Sequence, residues 1–410
     1  MQSIRNMDKN IMTDISKKWI WEHEGYPNFQ YNMKKLSKKI KQAEYLRGLI
    51  SGILAFASNK DMEELEIAAL TNEIISTSQI EGEYLRRESV RDSVAKAINQ
   101  AYISPEDMST RHTDNLVALM LDCHRNNDPL TVERLHGWHN ALFADSSSHD
   151  GIRKINTGQF RDYDDMKVIK NAFGRGGATV KYVAPPHHTI DNDIKAFLTY
   201  CNEDDEDPYI KSALAHLWFV SIHPYDDGNG RISRAIADFI LSRDVKEEYK
   251  IYSMSTTIYS KRASYYDELD MTTNLHKNRH FDFTNWIEWN LDILISALEK
   301  SHDDVIFIIK KAKFWDKYRT IELNKGQRKF LTVFIDRLSQ GNKNEFSNAD
   351  YRNITSAIPM TANRHITKML EFGCIEEVEG KGGRSTSYRL CFESTPLLNK
   401  TIKEGSSPLV

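Results

Sequence analysis

The segment HPYDDGNGRISR, from His223 to Arg234, is the densest cluster of side chains that could do chemistry. Its histidine has an intrinsic pKa of about 6.5, so the neutral imidazole can accept a proton at cellular pH. The Asp227 carboxylate is an oxygen ligand of the kind that Mg²⁺ prefers beside nucleotide phosphates. A base, a metal ligand and two arginines in so short a segment indicate phosphoryl or nucleotidyl transfer.

This segment is predicted to form a turn between two helices. The preceding ALAHLWFVSI is apolar nearly all round, as a buried helix would be. The following residues keep an apolar rhythm of i, i+3, i+4 and i+7, which predicts a second helix starting near Gly230. The residues that carry this rhythm are Ile232, Ala235, Ile236, Phe239 and Ile240.

A turn of this kind is suited to binding an anion. Gly228 and Gly230 lack a Cβ, so their backbone N–H groups can approach phosphate oxygens closely. The free N–H groups and the dipole at a helix start also favour negative charge. Arg231 and Arg234 are three residues apart and lie near one another on the polar side of the helix, and their guanidinium groups match phosphate geometry.

Each part of the segment also has a plainer interpretation. A run of Asp-Gly-Asn-Gly is usually only a turn, and a histidine before proline is more often structural than catalytic. A calcium loop of the EF-hand type needs a further acidic residue that is missing here. The occurrence of all these residues together on one helix–loop–helix favours the catalytic interpretation.

The segment resembles the signature of the Fic family, His-x-Phe-x-(Asp/Glu)-Gly-Asn-Gly-Arg-x-x-Arg. The only departure is Tyr225, a large aromatic residue that stands where Phe is usual and could anchor the loop in the core equally well. The resemblance extends over most of the chain. It implies a mainly α fold, with a Fic-type helical bundle core and a β-hairpin flap.

The resemblance implies a protein adenylyltransferase, which moves AMP from ATP to a Ser, Thr or Tyr hydroxyl of a protein. His223 would be the general base that removes the hydroxyl proton, and Asp227 would hold Mg²⁺. Tyr265 and Tyr266 resemble the family segment near the nucleotide base, although a core role is almost as well supported for each. The residues expected to bind the nucleotide are Gly228, Asn229, Gly230, Arg231, Arg234, Tyr265 and Tyr266, and the Asn229 side chain is expected to contact ATP directly.

A β-hairpin with a glycine-rich tip is predicted ahead of the signature. TGQFRDYDDMKVIKNAFGRGGATVKYVAPPHH alternates β-branched and polar residues around GRGG. Residues 166–183 would correspond to the Fic flap, which adds an edge strand to an extended target segment. Plain scaffold is the alternative interpretation of this hairpin.

The upstream segment ISTSQIEGEY resembles the Fic inhibitory motif, (Ser/Thr)-x-x-x-Glu-(Gly/Asn), through Thr77, Glu81 and Gly82. The resemblance implies that Glu81 pairs with Arg234 and keeps the γ-phosphate out of its productive place. A negative charge at a helix C-terminus opposes the helix dipole, so a partner elsewhere is expected. The alternative is an ordinary solvated glutamate at a helix end.

Three regions are predicted along the chain: residues 1–100 as an N-terminal helical domain that includes the inhibitory helix, 101–300 as the catalytic domain, and 301–410 as a winged helix-turn-helix domain. Glutamates near the winged module dilute the positive field that DNA binding needs, so DNA binding, protein docking and a structural role all remain open. The basic residues of that module are Arg364, His365 and Lys368 on the expected recognition helix, and Lys381 and Arg384 in the wing.

Bulk composition excludes several classes of protein. The 410 residues carry a formal net charge of only -3, which gives no global reason for nucleic-acid or membrane binding. The sequence shows neither a secretory signal nor an apolar stretch of roughly 18 residues, so we predict a cytoplasmic protein. Four cysteines without CxxC spacing suit neither a zinc site nor a disulfide framework, which favours free thiols in a reducing compartment.

Three functions therefore compete. The first is AMP transfer from ATP to a target protein, restrained by Glu81, with self-AMPylation and a homodimer as further expectations. The second is a DNA-binding regulator in which the Fic core is a sensor or is inactive. The third keeps the fold but removes AMP or transfers another phosphate-containing group, with Glu81 positioning a hydrolytic water.

Overall fold

The computed structural model describes residues 17–99, 101, 102, 104, 106–144, 155–170, 179–203, 205–246, 249–339, 342–379 and 386–392. The prediction of a mainly α fold is confirmed, since helices dominate this part of the chain. Its helices are α1 (Met33–Leu54), α2 (Asn59–Ile80), α3 (Arg87–Ile98), α4 (Arg111–Arg125), α5 (Val132–Phe143), α6 (Ile190–Glu203), α7 (Pro208–Ile222), α8 (Asn229–Asp244), α9 (Met254–Ser260), α10 (Arg262–Thr273), α11 (Thr284–Lys317), α12 (Lys325–Ser339), α13 (Asn348–Thr355) and α14 (Pro359–Glu371). Its strands are β1 (Lys167–Lys170), β2 (Thr179–Val183), β3 (Ile375–Glu377) and β4 (Tyr388–Leu390).

The chain divides into two compact units. The described residues of the first fall within Met1–Leu49 and Met62–Ser301, and those of the second within Ile50–Asp61 and His302–Val410. The division into three domains at residues 100 and 300 stays a prediction. None of the helices in the described ranges is long and apolar enough to cross a membrane.

Helices α7 and α8 form the centre of the first unit. Helix α7 starts at an N-cap, where the Asp207 side chain accepts hydrogen bonds from the backbone N–H groups of Tyr209 and Ile210. Nearly all its side chains are buried, so the prediction of a buried helix is confirmed. Helix α8 is likewise buried along most of its length and begins at Asn229, next to the predicted start at Gly230. The signature segment therefore joins the two most buried helices of the unit.

Helix α2 is fixed to the first unit by polar side chains as well as apolar ones. Glu73 Oε2 accepts hydrogen bonds from Ser253 Oγ (2.8 Å) and from the backbone N–H of Ser255 (3.1 Å) at the start of α9. One turn further along α2, Ser76 Oγ and Thr256 Oγ1 hydrogen-bond at 3.0 Å. These bonds set the position from which the C-terminal end of α2 faces α8.

Strands β1 and β2 form the predicted antiparallel hairpin, with Lys167 opposite Val183 and a bulge between Val168 and Ile169. The glycine-rich tip lies outside the described residues. The hairpin is tied to the helices of the unit, because Tyr182 donates a hydrogen bond to the Ser221 carbonyl at 2.7 Å. The prediction of a hairpin is confirmed, and its role as a flap stays a prediction.

The second unit contains helices α12, α13 and α14 followed by the antiparallel pair β3–β4, around a core that includes Phe330 and Phe346. His365 faces this core, where its Nδ1 hydrogen-bonds with the Tyr351 hydroxyl at 2.9 Å. Lys381 and Arg384 lie outside the described residues. The winged-helix and DNA-binding interpretations stay predictions.

The four cysteines are free: Cys123, Cys201 and Cys374 are buried, and Cys391 is partly buried. The prediction of free thiols is therefore confirmed. Burial raises the pKa of the Cys374 thiol to about 11, so this side chain stays protonated and unreactive at neutral pH. The cytoplasmic location stays a prediction.

Candidate active site

The loop between α7 and α8 begins at His223, which ends α7 in a left-handed conformation with φ 51° and ψ 57°. This conformation is uncommon for residues other than glycine. The Nδ1 atom of His223 donates a hydrogen bond to the Val220 carbonyl at 3.2 Å. In the neutral ring the other nitrogen, Nε2, then carries a lone pair and can accept a proton.

Burial lowers the pKa of His223 to about 4, and the hydrogen bond to Val220 offsets only part of this shift. The side chain is nevertheless partly exposed. The imidazole is thus neutral at pH 7 and open on one side, as a general base requires.

Tyr225 anchors the loop in the core, where it is 0% exposed. Its ring stacks on His139 with centroids 4.1 Å apart, and its hydroxyl hydrogen-bonds with His136 Nδ1 at 2.9 Å. The Asn229 side chain closes the loop, because its Oδ1 accepts from the Tyr225 N–H (3.0 Å) and its Nδ2 donates to the Tyr225 carbonyl (2.8 Å). Asn229 is therefore a brace of the loop, and its direct contact with ATP stays a prediction.

Two residues that hydrogen-bond to the backbone of this loop and hold it in place were not among the residues singled out from the sequence. His139 Nε2 donates to the Asp227 carbonyl at 3.2 Å. Arg161 is buried, and its Nε donates to the His223 carbonyl at 2.9 Å while its backbone N–H donates to the Pro224 carbonyl at 2.8 Å. The HGWH spacing in α5 was a sequence signal for His139, but nothing comparable marked Arg161.

Replacing Tyr225 with phenylalanine is expected to keep the fold and to lower the free energy of unfolding by about 1 kcal/mol, because the partly buried Nδ1 of His136 loses its partner. Denaturant unfolding of both proteins measures the difference. The double variant Tyr225→Phe/His136→Phe is the control, since it removes both polar partners. A loss above about 3 kcal/mol in the single variant would mean that the hydroxyl does more than satisfy His136.

Asp227 is an exposed carboxylate near the N-terminus of α8. Its Oδ1 accepts from the Gly228 N–H at 2.6 Å, and no cationic side chain in the described ranges forms an ion pair with it. Those ranges hold no cluster of three potential metal ligands. A single free carboxylate fits Mg²⁺, which usually takes one or two protein carboxylates and completes its shell with phosphates and water.

The two signature arginines are buried and each carries a nitrogen with spare capacity. Arg231 is 8% exposed and Arg234 is 5% exposed. Arg231 Nε and Arg234 Nη1 have no hydrogen-bond partner within the described residues. Buried donors without an acceptor are costly, so this pair of nitrogens fits the oxygens of a bound polyphosphate.

Thr77, Glu81 and Arg234 are brought together at the end of α2. Arg234 Nη2 lies 2.8 Å from Glu81 Oε1, and Arg234 Nε donates to Thr77 Oγ1 at 2.8 Å. A Cβ at Gly230 would collide with the Glu81 carboxylate, so this carboxylate lies against the backbone where an anion is expected. The inhibitory role of the contact stays a prediction.

Tyr265 and Tyr266 have different surroundings. Tyr265 is 1% exposed, and its hydroxyl hydrogen-bonds with His216 Nε2 at 3.0 Å. Tyr266 is 40% exposed and donates to the Ile80 carbonyl at 3.2 Å, the same carbonyl that accepts from Arg262 Nε at 2.7 Å. Tyr265 is thus a core residue, whereas Tyr266 and Arg262 hold the last carbonyl of α2; contact of either tyrosine with a nucleotide base stays a prediction.

Two family models match parts of the chain. Residues 19–99 match a domain of unknown function (DUF4172), and residues 129–241 match the Fic/DOC family. The first range contains Thr77 and Glu81, and the second contains the whole signature segment from His223 to Arg234.

Curated relatives match shorter stretches. A probable protein adenylyltransferase of Aquifex aeolicus is 27% identical over 109 residues, which are 26% of this chain and 34% of that protein. A uridine 5′-monophosphate transferase of Xanthomonas campestris pv. campestris is 31% identical over 67 residues, 14% of this chain and 12% of that protein. The chain therefore spans about a third or less of the length of these relatives. Among solved structures, a Fic family protein from Desulfovibrio desulfuricans G20 is 18% identical, with a TM-score of 0.48 over 88% of this chain and 97% of that one.

Proposed function

Because this chain is a Fic-family protein, we propose that it transfers AMP from ATP to a hydroxyl group of a target protein, and that Glu81 restrains the reaction. The observation that carries the proposal is the composition of one loop. The segment from His223 to Arg234 combines a neutral imidazole, an exposed carboxylate and two buried arginines that each have an N–H group without a hydrogen-bond partner among the described residues. The relative from Aquifex, a probable protein adenylyltransferase, supports the same reaction.

In the proposed reaction, the oxygen of a Ser, Thr or Tyr hydroxyl attacks the α-phosphorus of ATP. His223 Nε2 takes the hydroxyl proton as the new P–O bond forms. The bond from the α-phosphorus to the oxygen that bridges it to the β-phosphate breaks, and pyrophosphate leaves with the electron pair. Products are the adenylylated protein, pyrophosphate and a proton that His223 later releases to solvent.

The remaining residues of the loop bind and orient the polyphosphate. Arg231 and Arg234 would offer their spare N–H donors to phosphate oxygens, and the N-terminus of α8 adds its dipole. Asp227 would hold Mg²⁺, which neutralises charge on the phosphates when bound. Positioning and electrostatic stabilisation supply most of the acceleration in reactions of this type.

The flap is proposed to hold the target segment in an extended conformation beside β1 or β2, so that its hydroxyl faces His223. Ile169 and Val180 are cross-strand partners in the hairpin, and both side chains are substantially exposed. Among the described residues, β1 and β2 pair as strands only with each other, so an exposed apolar pair beside their outer edges suits contact with a peptide. Self-AMPylation would use the same geometry on a segment of this chain.

The function is tested by incubating the Glu81→Gly protein with Mg-ATP and a cell lysate. Mass spectrometry is then applied both to the Glu81→Gly protein and to the lysate proteins. We expect a mass gain of one AMP on the protein itself or on a lysate protein, mapped by peptide sequencing to a Ser, Thr or Tyr. Glu81→Gly/His223→Ala is the matched control and should show none. Absence of any such adduct in the single variant, with folding intact, would contradict the proposal.

Transfer of UMP is a second candidate, because the Xanthomonas relative is a uridine 5′-monophosphate transferase. The phosphate-binding groups of the loop do not distinguish ATP from UTP. Parallel incubations with Mg-ATP and Mg-UTP separate the two candidates, since each adduct has its own mass.

A third candidate, removal of AMP with Glu81 positioning a water, predicts loss of the modification from an adenylylated target by the wild-type protein.

A further inference from the structure

We infer that Glu83 is a second restraining carboxylate, which holds Arg231 away from the nucleotide as Glu81 holds Arg234. The inference rests on the proposed function, because it concerns nucleotide binding at the same loop. It adds a residue outside the inhibitory motif, and it is carried by the geometry of the turn that ends α2.

The end of α2 is a C-terminal cap of the Schellman type. The Glu83 N–H donates to the Ser78 carbonyl at 3.0 Å, and the Gly82 N–H donates to the Gln79 carbonyl at 3.1 Å. Gly82 has a φ of 88°, which glycine adopts without penalty. This cap fixes the directions of Glu81 and Glu83 relative to each other, so the two carboxylates are presented to α8 by one turn of chain.

Glu83 is engaged on both oxygens. Its Oε2 lies 2.8 Å from Arg231 Nη1, and its Oε1 accepts from His112 Nε2 at 2.8 Å. Burial alone would raise the pKa of Glu83, but the bond from His112 and the charge of Arg231 outweigh it and lower this pKa. The carboxylate is therefore ionised at neutral pH and is held in place from the start of α4.

The contact leaves Arg231 unable to offer its full charge to a phosphate. Glu83 occupies Nη1, while the guanidinium lies over the Phe143 ring with its carbon 5.0 Å from the centroid. Carboxylate and phosphate compete for the same donors of a guanidinium. A polyphosphate must therefore displace two carboxylates, one on each signature arginine, before it binds productively.

A different role for Glu83 is that it orients Arg231 for catalysis. The two roles have opposite kinetic consequences. If Glu83 competes with ATP, its removal lowers the KM for ATP and leaves kcat unchanged or higher. If Glu83 orients Arg231, its removal raises the KM or lowers kcat.

The test compares Glu81→Gly with Glu81→Gly/Glu83→Gln in steady-state AMP transfer and in binding of Mg-ATP by calorimetry. We expect the double variant to show a KM and a dissociation constant for ATP about fivefold lower than Glu81→Gly, since coupling between sites commonly spans about 5- to 150-fold. Glu88→Gln in the same background is the matched control. Glu88 is exposed at the start of α3, so this variant removes one negative charge without touching either arginine.

His112→Ala provides a second variant, because it removes the support of Glu83 and keeps its charge. We expect a shift in the same direction but smaller. An unchanged or higher KM in both variants would overturn the inference, as would an equal shift in Glu88→Gln. Failure of Glu81→Gly itself to bind or transfer any nucleotide would instead contradict the proposed function, so the two failures are distinguishable.

Discussion

Replacement of His223 with alanine is expected to lower AMP transfer by at least about 100-fold, because proton transfer by a positioned base contributes about 10²- to 10⁴-fold. The comparison is best made in the Glu81→Gly background, where the highest activity is expected. Incorporation of label from α-labelled ATP measures it. Binding of Mg-ATP should persist in the variant, since His223 has no proposed contact with the phosphates.

The left-handed backbone of His223 calls for a matched control. Histidine and asparagine adopt the left-handed conformation at a φ of 51° more readily than alanine does, so alanine adds backbone strain that asparagine avoids. His223→Asn therefore keeps the loop and removes the base. Transfer that survives in both variants, with normal thermal unfolding, would mean that another group accepts the proton.

The pH profile reports on the same base. Because the neutral form is active and the pKa of His223 is lowered to about 4, transfer should be lost only as the pH falls through about 4. Between pH 5 and 7, kcat/KM for AMP transfer should be nearly constant. An acid limb near pH 6.5 would show instead that the working imidazole is exposed to water, and circular dichroism at each pH excludes acid unfolding as the cause.

Replacement of Glu81 with glycine is expected to raise AMP transfer about 10- to 100-fold, which corresponds to the coupling free energies typical of regulatory contacts. The variant frees Arg234 Nη2 and clears the space against Gly230 that the carboxylate occupies. Initial rates at several ATP concentrations measure the effect. The gain should be largest when ATP is below its KM.

Glu81→Gln is the control for this variant, since it removes the charge and keeps the volume. If competition for Arg234 is the main restraint, glutamine should release most of the activity. If the space above Gly230 matters more, glutamine should release little of it. A folded Glu81→Gly protein that is no faster than wild type would refute restraint by this residue.

The features that could be predicted from the sequence are mainly those whose contacts are local. The loop between two buried helices and the start of α8 at Asn229 follow from short-range periodicity and from glycine. The contact of Glu81 with Arg234 could be predicted only through family resemblance, because 153 positions separate the two residues. No pattern within one segment encodes such a distance.

The residues that sequence reasoning missed come from segments far from the loop. Arg161 and His139 reach it from outside the signature, and Arg262 reaches the end of α2 from α10. Each acts mainly through backbone carbonyls, which all residues possess, so the sequence gives no sign of the partner. Asn229 shows the related difficulty that one amide can serve either a ligand or its own loop.

The cap that ends α2 has a thermodynamic consequence. The upstream part of the helix is hydrogen-bonded to residues at α9 through Glu73 and Ser76. Fraying of the last turn alone is therefore the opening that needs the least free energy. Helix ends open far more often than whole helices dissociate. If the proposed restraint holds, the basal rate of AMP transfer by the wild-type protein would be proportional to the fraction of molecules in which this turn is open. Hydrogen exchange of the Glu83 amide proton, whose acceptor is the Ser78 carbonyl, would report the same equilibrium independently of catalysis.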